Sequence, residues 1–211
     1  MDLLNNIESD VAKEVINIGL SKAADSLSFF SQQKVIIRNS ELSFKNAEEV
    51  DKISEKEGNS IYILTTEIIG DMTGICYLIF NENEADELIK LSIPPSMLQD
   101  EEQKQMMAEE ILKEADNIIS ASVITQFSNL LNISMHGGVP AMDVVEDDKL
   151  TSFMKSKGTT TDHLLQINAQ FHTETTEFSP EFIWFLDNKF IEGIKQFVKD
   201  DPTLEKLKNI K

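Results

Sequence analysis

Apolar residues recur along this chain at two different spacings, and the switches between them lay out its elements. Over residues 8–31, Val11, Val15, Ile18, Ala23 and Leu27 return at steps of three to five. That period predicts a helix with one apolar side, for which Asn6 or Ser9 is the expected N-cap. The β-branched run Val35-Ile36-Ile37 predicts a strand over Lys34–Arg38. Residues 44–60 are mostly charged and polar, with Gly58-Asn59 near their end, and read as a loop. Ile61–Ile69 and Gly74–Phe80 read as strands joined by a turn at Gly70-Asp71, hence a hairpin. Glu82–Leu91 reads as a short amphipathic helix closed by Pro94-Pro95.

The second half runs through the same series. Residues 101–132 carry the longest helical period, with Ile111, Ala115, Ile118, Ile119, Ile124, Phe127 and Leu131 on its apolar side. Gly137-Gly138 and Pro140 break the chain before a short strand at Met142–Val145. Residues 151–162 are polar, with Gly158 and three threonines, and read as a loop, as does the acidic run Glu146-Asp147-Asp148. Leu164–Phe171 and Phe182–Leu186 read as strands, and Asp187–Val198 as an amphipathic helix. The expected architecture is one α/β (α+β) domain over residues 1–200, made of two repeats of about 8–95 and 104–198 and followed by a charged tail, 201–211. The two repeats would build one mainly antiparallel sheet about a pseudo-two-fold axis, with two long helices packed on it.

Composition narrows what such a domain does. The chain has 211 residues, 41% of them hydrophobic, with 19 Lys+Arg against 37 Asp+Glu and a formal charge of −18. Affinity for nucleic acid comes largely from cations neutralising phosphates, so this balance argues against nucleic acid and equally against an anionic membrane surface. It favours a partner with a basic patch. The single cysteine, Cys76, allows no intramolecular disulfide. The N-terminus MDLLNNIESD has no basic segment or long apolar run, so it does not read as a signal peptide. No stretch approaches the roughly 20 apolar residues of a membrane span. A soluble cytoplasmic protein is the expectation.

One polar pattern occurs twice. It reads Asp10-x3-Glu14-x2-Asn17 in the first helix and Glu110-x3-Glu114-x2-Asn117 in the second, an offset of 117 − 17 = 100 residues. Spacings of i, i+4 and i+7 put the three side chains on one helix face. A solvated outer face would also be polar. Two features single out this stripe: Asn is a mediocre helix former, yet it recurs at the equivalent position, and each copy is followed at once by isoleucine. A carboxamide can orient a water through one donor and one acceptor. A neighbouring carboxylate can pair with a partner's lysine. Both roles suit phosphoryl transfer, where catalysis is mostly positioning and electrostatics.

These residues resemble the CheC family of bacterial chemotaxis proteins, relatives of CheX and of the flagellar switch protein FliY. The family pattern is Asp/Ser-x3-Glu-x2-Asn-x22-Pro. The second copy has Glu114, Asn117 and, after 22 intervening residues, Pro140, with Glu110 at the first position. The first copy has Asp10, Glu14 and Asn17, with Ser40 where the proline would stand. Glu14-Val-Ile-Asn-Ile-Gly19 and Gly70-Asp-Met-Thr-Gly74 resemble further stretches of the family, and the likeness spans roughly residues 8–198. The resemblance implies a phosphatase of the phosphorylated response regulator CheY. Asn17 and Asn117 would orient the attacking water, and Glu14 and Glu114 would pair with the regulator's active-site lysine. Asp10, Glu110 and Pro140 would shape the docking surface. The chain would have no cofactor or metal of its own, the Mg²⁺ belonging to the regulator.

The resemblance leaves rivals. One is a non-enzymatic scaffold that binds a CheD-like deamidase or serves the flagellar switch. Another is a phosphatase for a response regulator outside chemotaxis. The length, with room for neither a further switch domain nor a long N-terminal extension, sets the expectation nearer CheC than FliY. Two intact Glu-x-x-Asn cores set it nearer a monomer than a CheX-like dimer. Other residue groups suggest less. His136, His163 and His172 lack a shared metal spacing. Cys76 reads as a small buried hydrophobe, and Gly137-Gly138 alone makes no phosphate loop. Met106-Met107, Phe29-Phe30 and Trp184-Phe185 read as core.

Overall fold

The structure, a computed structural model, describes residues 3–46, 52–93, 101–157 and 163–207. Helix α1 (Asn6–Ser31) opens on a capping box: Asn5 Oδ1 accepts from the Glu8 amide, and Glu8 Oε2 from the Asn5 amide. The N-cap is therefore Asn5, ahead of both expected candidates. The helix stops at Gln32, whose φ of 55° is left-handed. Helix α3 (Glu101–Leu131) stops in the same way at Asn132, with φ 52°. Ser28 Oγ accepts from the Val35 amide at 2.8 Å, and Ser128 Oγ donates to the Ile133 carbonyl at 2.6 Å. Each long helix thus ties down the chain that leaves it.

The strands are β1 (Ile36–Asn46), β2 (Ile61–Gly70), β3 (Gly74–Asn81), β4 (Met135–Gly137), β5 (Ala141–Val145), β6 (His163–His172), β7 (Glu177–Phe178) and β8 (Glu181–Leu186). They form one sheet in the order β1-β6-β8-β3-β2-β4, with β5 also on β2 and β7 on β6. Every pairing is antiparallel. The order is symmetric about the β3–β8 ladder, as a pseudo-two-fold requires. The halves interlock: β1 pairs with β6 of the second half, and β4 and β5 pair with β2 of the first.

Both faces of the sheet are covered, which is why β3 and β8 are apolar almost throughout. Cys76, Leu78, Phe80, Phe182, Trp184 and Leu186 alternate onto the face that packs on α1, α3, α2 (Glu82–Ser92) and α5 (Asn188–Asp200). Tyr77, Ile79, Ile183 and Phe185 alternate onto the other, with Ile53, Leu150 and Met154. The two long helices touch closely, since a Cβ on Gly19 would lie 2.8 Å from the Val123 Cα.

Several expectations need correction. Asp147–Ser156 is a helix, α4, where loops were expected on both sides of position 150. Its acids Asp147 and Asp148 occupy the first turn, where the helix dipole favours them. Leu150, Phe153 and Met154, at i, i+3 and i+4, turn its apolar side onto the second core. β1 runs eight residues beyond Arg38, because pairing with β6 sustains it and Leu42 and Phe44 alternate inward. β4 and β7 are too short to show a period. A short helix, α6 (Pro202–Leu207), occupies part of the expected tail. Pro94-Pro95 lies outside the described residues. Phe29 is 88% exposed, because it continues the outer face of α1 with Lys22, Asp25 and Ser26. Met107 is exposed as well.

Candidate functional site

Both acid-and-amide stripes lie on outer helix faces, because Ala12, Val15, Ile16 and Gly19 of α1, and Leu112, Ala115, Ile119 and Val123 of α3, take the inward positions. Asp10 and Glu14 are exposed and Asn17 is half-buried. Glu110, Glu114 and Asn117 are all exposed.

In the second half the stripe forms one wall of a groove of about 540 Å³. Glu110, Lys113, Glu114 and Asn117 line it from α3, and His136, Gly137, Gly138, Val139 and Pro140 from the opposite side. All four motif positions of that copy therefore meet in one place, although Asn117 and Pro140 are 23 residues apart. The reason is a bulge. Four steps from Gly137 to Ala141 match three steps along β2, from Ile68 to Thr65. The extra residue lets the chain arch away from β2 between β4 and β5. Proline suits that arch because it has no amide to leave unpaired. Gly138 still donates its amide to the Glu67 carbonyl at 2.8 Å. Val139 stands at the rim, 92% exposed.

The first half repeats the bulge at the same place. Four steps from Ile37 to Glu41 match three along β6, from Phe171 to Asn168. There β1 continues through it as a single strand, with Arg38-Asn39-Ser40 in place of Gly138-Val139-Pro140.

Two residues that the motif did not point to also line the second groove, Lys113 and His136. Lys113 Nζ lies 2.5 Å from Glu109 and 3.9 Å from Glu110, and the Glu109 contact raises the pKa of its ammonium. A second, larger groove of about 1410 Å³ adjoins the first at Glu114, which lines both. Its floor and walls come from the end of α1 and the start of β1, with Phe29, Phe30, Val35 and Ile36 facing Ile118. Asp25 and Glu114 put two carboxylates on its lining, beside Lys34.

Beneath Asn117 lies a polar group that pattern reading missed. Asp116 is fully buried and bonded to Thr66 and Ser120. Burial pushes its carboxyl up to about 6, against the pull of those two hydrogen bonds. The sequence signal was available: Asp116 and Ser120 fall at i+4 and i+8 from Leu112, on the apolar side of the helix. Among the described residues no three His, Cys, Asp or Glu side chains gather as a metal site. His163 instead contacts Asn188, and His172 contacts Glu177. Among the same residues no helix is long and apolar enough to cross a membrane.

No protein-family model matches the chain, and no curated protein sequence does. Solved structures do. FliY from Thermotoga maritima superposes with a TM-score of 0.72 at 17% identity, over 92% of this chain and 96% of that one. The chain has the fold of the CheC/CheX/FliY group. A chemotaxis protein of Desulfovibrio vulgaris Hildenborough superposes at 0.52 with 18% identity, over 81% of this chain and 96% of that one. FliM of H. pylori, solved in complex with SpeE, superposes at 0.61 with 6% identity, over 92% and 97%. At such identities the likeness is one of fold, and the chemistry has to be argued from the groove.

Proposed function

We propose that this chain is a cytoplasmic phosphatase of a phosphorylated, CheY-type chemotaxis response regulator. The observation that carries the reading is the groove that gathers Glu110, Glu114, Asn117 and Pro140. The regulator docks its phosphoaspartate pocket over α3. Asn117 enters and holds a water through its carboxamide, in line with the phosphorus. The water oxygen bonds to phosphorus as the bond to the aspartyl oxygen breaks. The products are inorganic phosphate and a free aspartate on the regulator, with the water's proton passing to phosphate or solvent. Glu114 pairs with the regulator's active-site lysine and so fixes the docked orientation. The Mg²⁺ that offsets phosphoryl charge is the regulator's own. Asn17 and Glu14 form the equivalent pair of the first half. Asp10, Glu110 and Pro140 shape the rims.

The test is phosphate release from a phosphorylated CheY-type regulator in Mg²⁺. Asn17→Ala combined with Asn117→Ala should abolish stimulated release while circular dichroism and the unfolding midpoint stay unchanged. Full activity in that double variant would sink the reading.

One observation favours a binding module instead: the larger groove, with its exposed Phe29, offers an uncovered apolar surface to a partner. On the phosphatase reading the regulator straddles Glu114 and rests on both grooves. On the scaffold reading a CheD-like deamidase or a switch protein fills the larger one. Tight binding of either, without phosphate release from any regulator, would select the scaffold.

A further inference from the structure

Asp116 is next in sequence to Asn117, about 100° round the helix from it and turned into the core, and has no part in the reaction written above. We propose that Asp116 is a positioning residue: together with Thr66 it fixes the depth and rotation of α3 beneath Asn117, and so the width of the groove. The inference rests on the phosphatase reading of that groove.

Asp116 Oδ2 accepts from Thr66 Oγ1 at 2.6 Å, and Oδ1 accepts from Ser120 Oγ at 2.8 Å. Ser120 Oγ in turn lies 3.3 Å from Cys76 Sγ on β3. Thr66 serves both walls of the groove. Its hydroxyl holds the helix wall through Asp116. Its Cγ2 is the atom that a Cβ on Gly137 would meet at 3.1 Å, so it abuts the opposite wall. The next residue, Glu67, accepts the Gly138 amide, and Ile68 pairs with Gly137. Three successive residues of β2 therefore join the wall that bears Asn117 to the wall that ends at Pro140.

A carboxylate suits this task better than a hydrocarbon. Apolar contacts are non-directional and tolerate small slides and rotations. Two short, charge-assisted hydrogen bonds do not. An amide that must place a water needs its position held to within about 0.5 Å, because a misplacement of about 1 Å can cost on the order of 100-fold in rate.

The first half makes the opposite choice at all three positions. Asp116 and Ser120 correspond to Ile16 and Leu20 at the 100-residue offset. Glu41 pairs with Asn168 as Ala141 pairs with Thr65, so Ala169 stands where Thr66 does. Ile16, Leu20 and Ala169 are all buried in the same core. The fold thus seats a long helix on this sheet without any polar anchor. Burying an ionisable group normally costs stability, and of these two equivalent helix positions only the one beside Asn117 carries that cost.

The experiment measures phosphate release against regulator concentration, with urea midpoints, for the wild type, Asn117→Ala and a set of anchor variants. The apolar combination of Thr66→Val, Asp116→Leu and Ser120→Ala should fold with a midpoint at or above that of the wild type. Its kcat should fall about tenfold, with KM changed by less than about twofold. Asp116→Asn, which can still bond both hydroxyls, should restore most of the rate. A folded apolar variant with unchanged kcat overturns the inference, while loss of activity in Asn117→Ala keeps the phosphatase reading. Should the combination fail to fold, Thr66→Val alone decides: a folded variant with wild-type kcat overturns the inference. Absence of any release by the wild type overturns the reading and the inference together.

Discussion

Asn117 and Asn17 stand on the same turn of two matching helices, and their surroundings differ in three places. Across the groove, the bulge after β4 opens into Gly138-Val139-Pro140, whereas β1 runs through the same bulge unbroken. Beneath the helix, the second half has Asp116, Ser120 and Thr66 where the first has Ile16, Leu20 and Ala169. Beside the helix, Glu114 and Ile118 face Phe29, Phe30 and Ile36, while the counterparts of those three at the 100-residue offset are Asn129, Leu130 and His136. The two halves share the helix face, its left-handed stop and the bulge, and differ in the walls. The difference teaches that a matching triplet is not a matching site: what surrounds an amide decides whether it can position anything.

The largest expected effect tests that ranking directly. Asn117→Ala should lower kcat on the order of 100-fold, and Asn17→Ala by less than about threefold, since Asn117 stands on the wall of a groove whose helix is anchored by Asp116. Single-turnover assays on each variant measure both, and the reverse order would break the comparison. The anchor beneath the helix gives the next. Because burial raises the Asp116 carboxyl from 3.8 to about 6, the folded chain binds more protons than the unfolded one between those values. Its contribution therefore makes stability fall as pH rises from about 4 to 6 and then level off, by roughly 3 kcal/mol in all. Cys76, the other titratable group of the network, is pushed well above its ordinary value by burial and stays protonated throughout. Urea midpoints from pH 4 to 7 should show this component in the wild type and not in Asp116→Asn; parallel curves would refute it.

The smallest effect concerns the flanking groove. Phe29 is 88% exposed, so Phe29→Ser should change stability by less than about 0.5 kcal/mol. It should raise KM for the phosphorylated regulator a few-fold and leave kcat alone, as loss of uniform binding does. Asn129→Ser, at the counterpart position, should change neither. An unaltered KM in Phe29→Ser would remove the larger groove from the docking surface.

Much of the fold was legible in residue order. The long helices and the helices after β3 and β8 follow from a helical period, and the 61–80 hairpin from two apolar runs joined at the Gly70-Asp71 turn. The loop expected at 151–162 failed because α4 is ten residues long and its apolar side is only Leu150, Phe153 and Met154. The sequence pattern shows β1 only as far as Arg38, because its remaining length is held by backbone bonds to β6, which side-chain pattern does not report. Of the candidate site, the acid-and-amide stripe was readable, since helical spacing alone puts its members on one face. The same spacing puts Lys113 beside them, at i+3 from Glu110; His136 was not readable, because its place in the groove depends on which strand β4 pairs with.

By itself, then, the sequence determined the two helices, the face on which each Glu-x-x-Asn lies and the 100-residue repeat, all of which follow from local spacing. Only the tertiary structure decided that Pro140 closes a groove opposite Asn117 and that Thr66 bridges the two walls. It also decided that Phe29 borders Glu114 from the other half of the chain. Each of these is set by pairing between residues far apart in sequence, and in an interlocked sheet that pairing joins one repeat to the other.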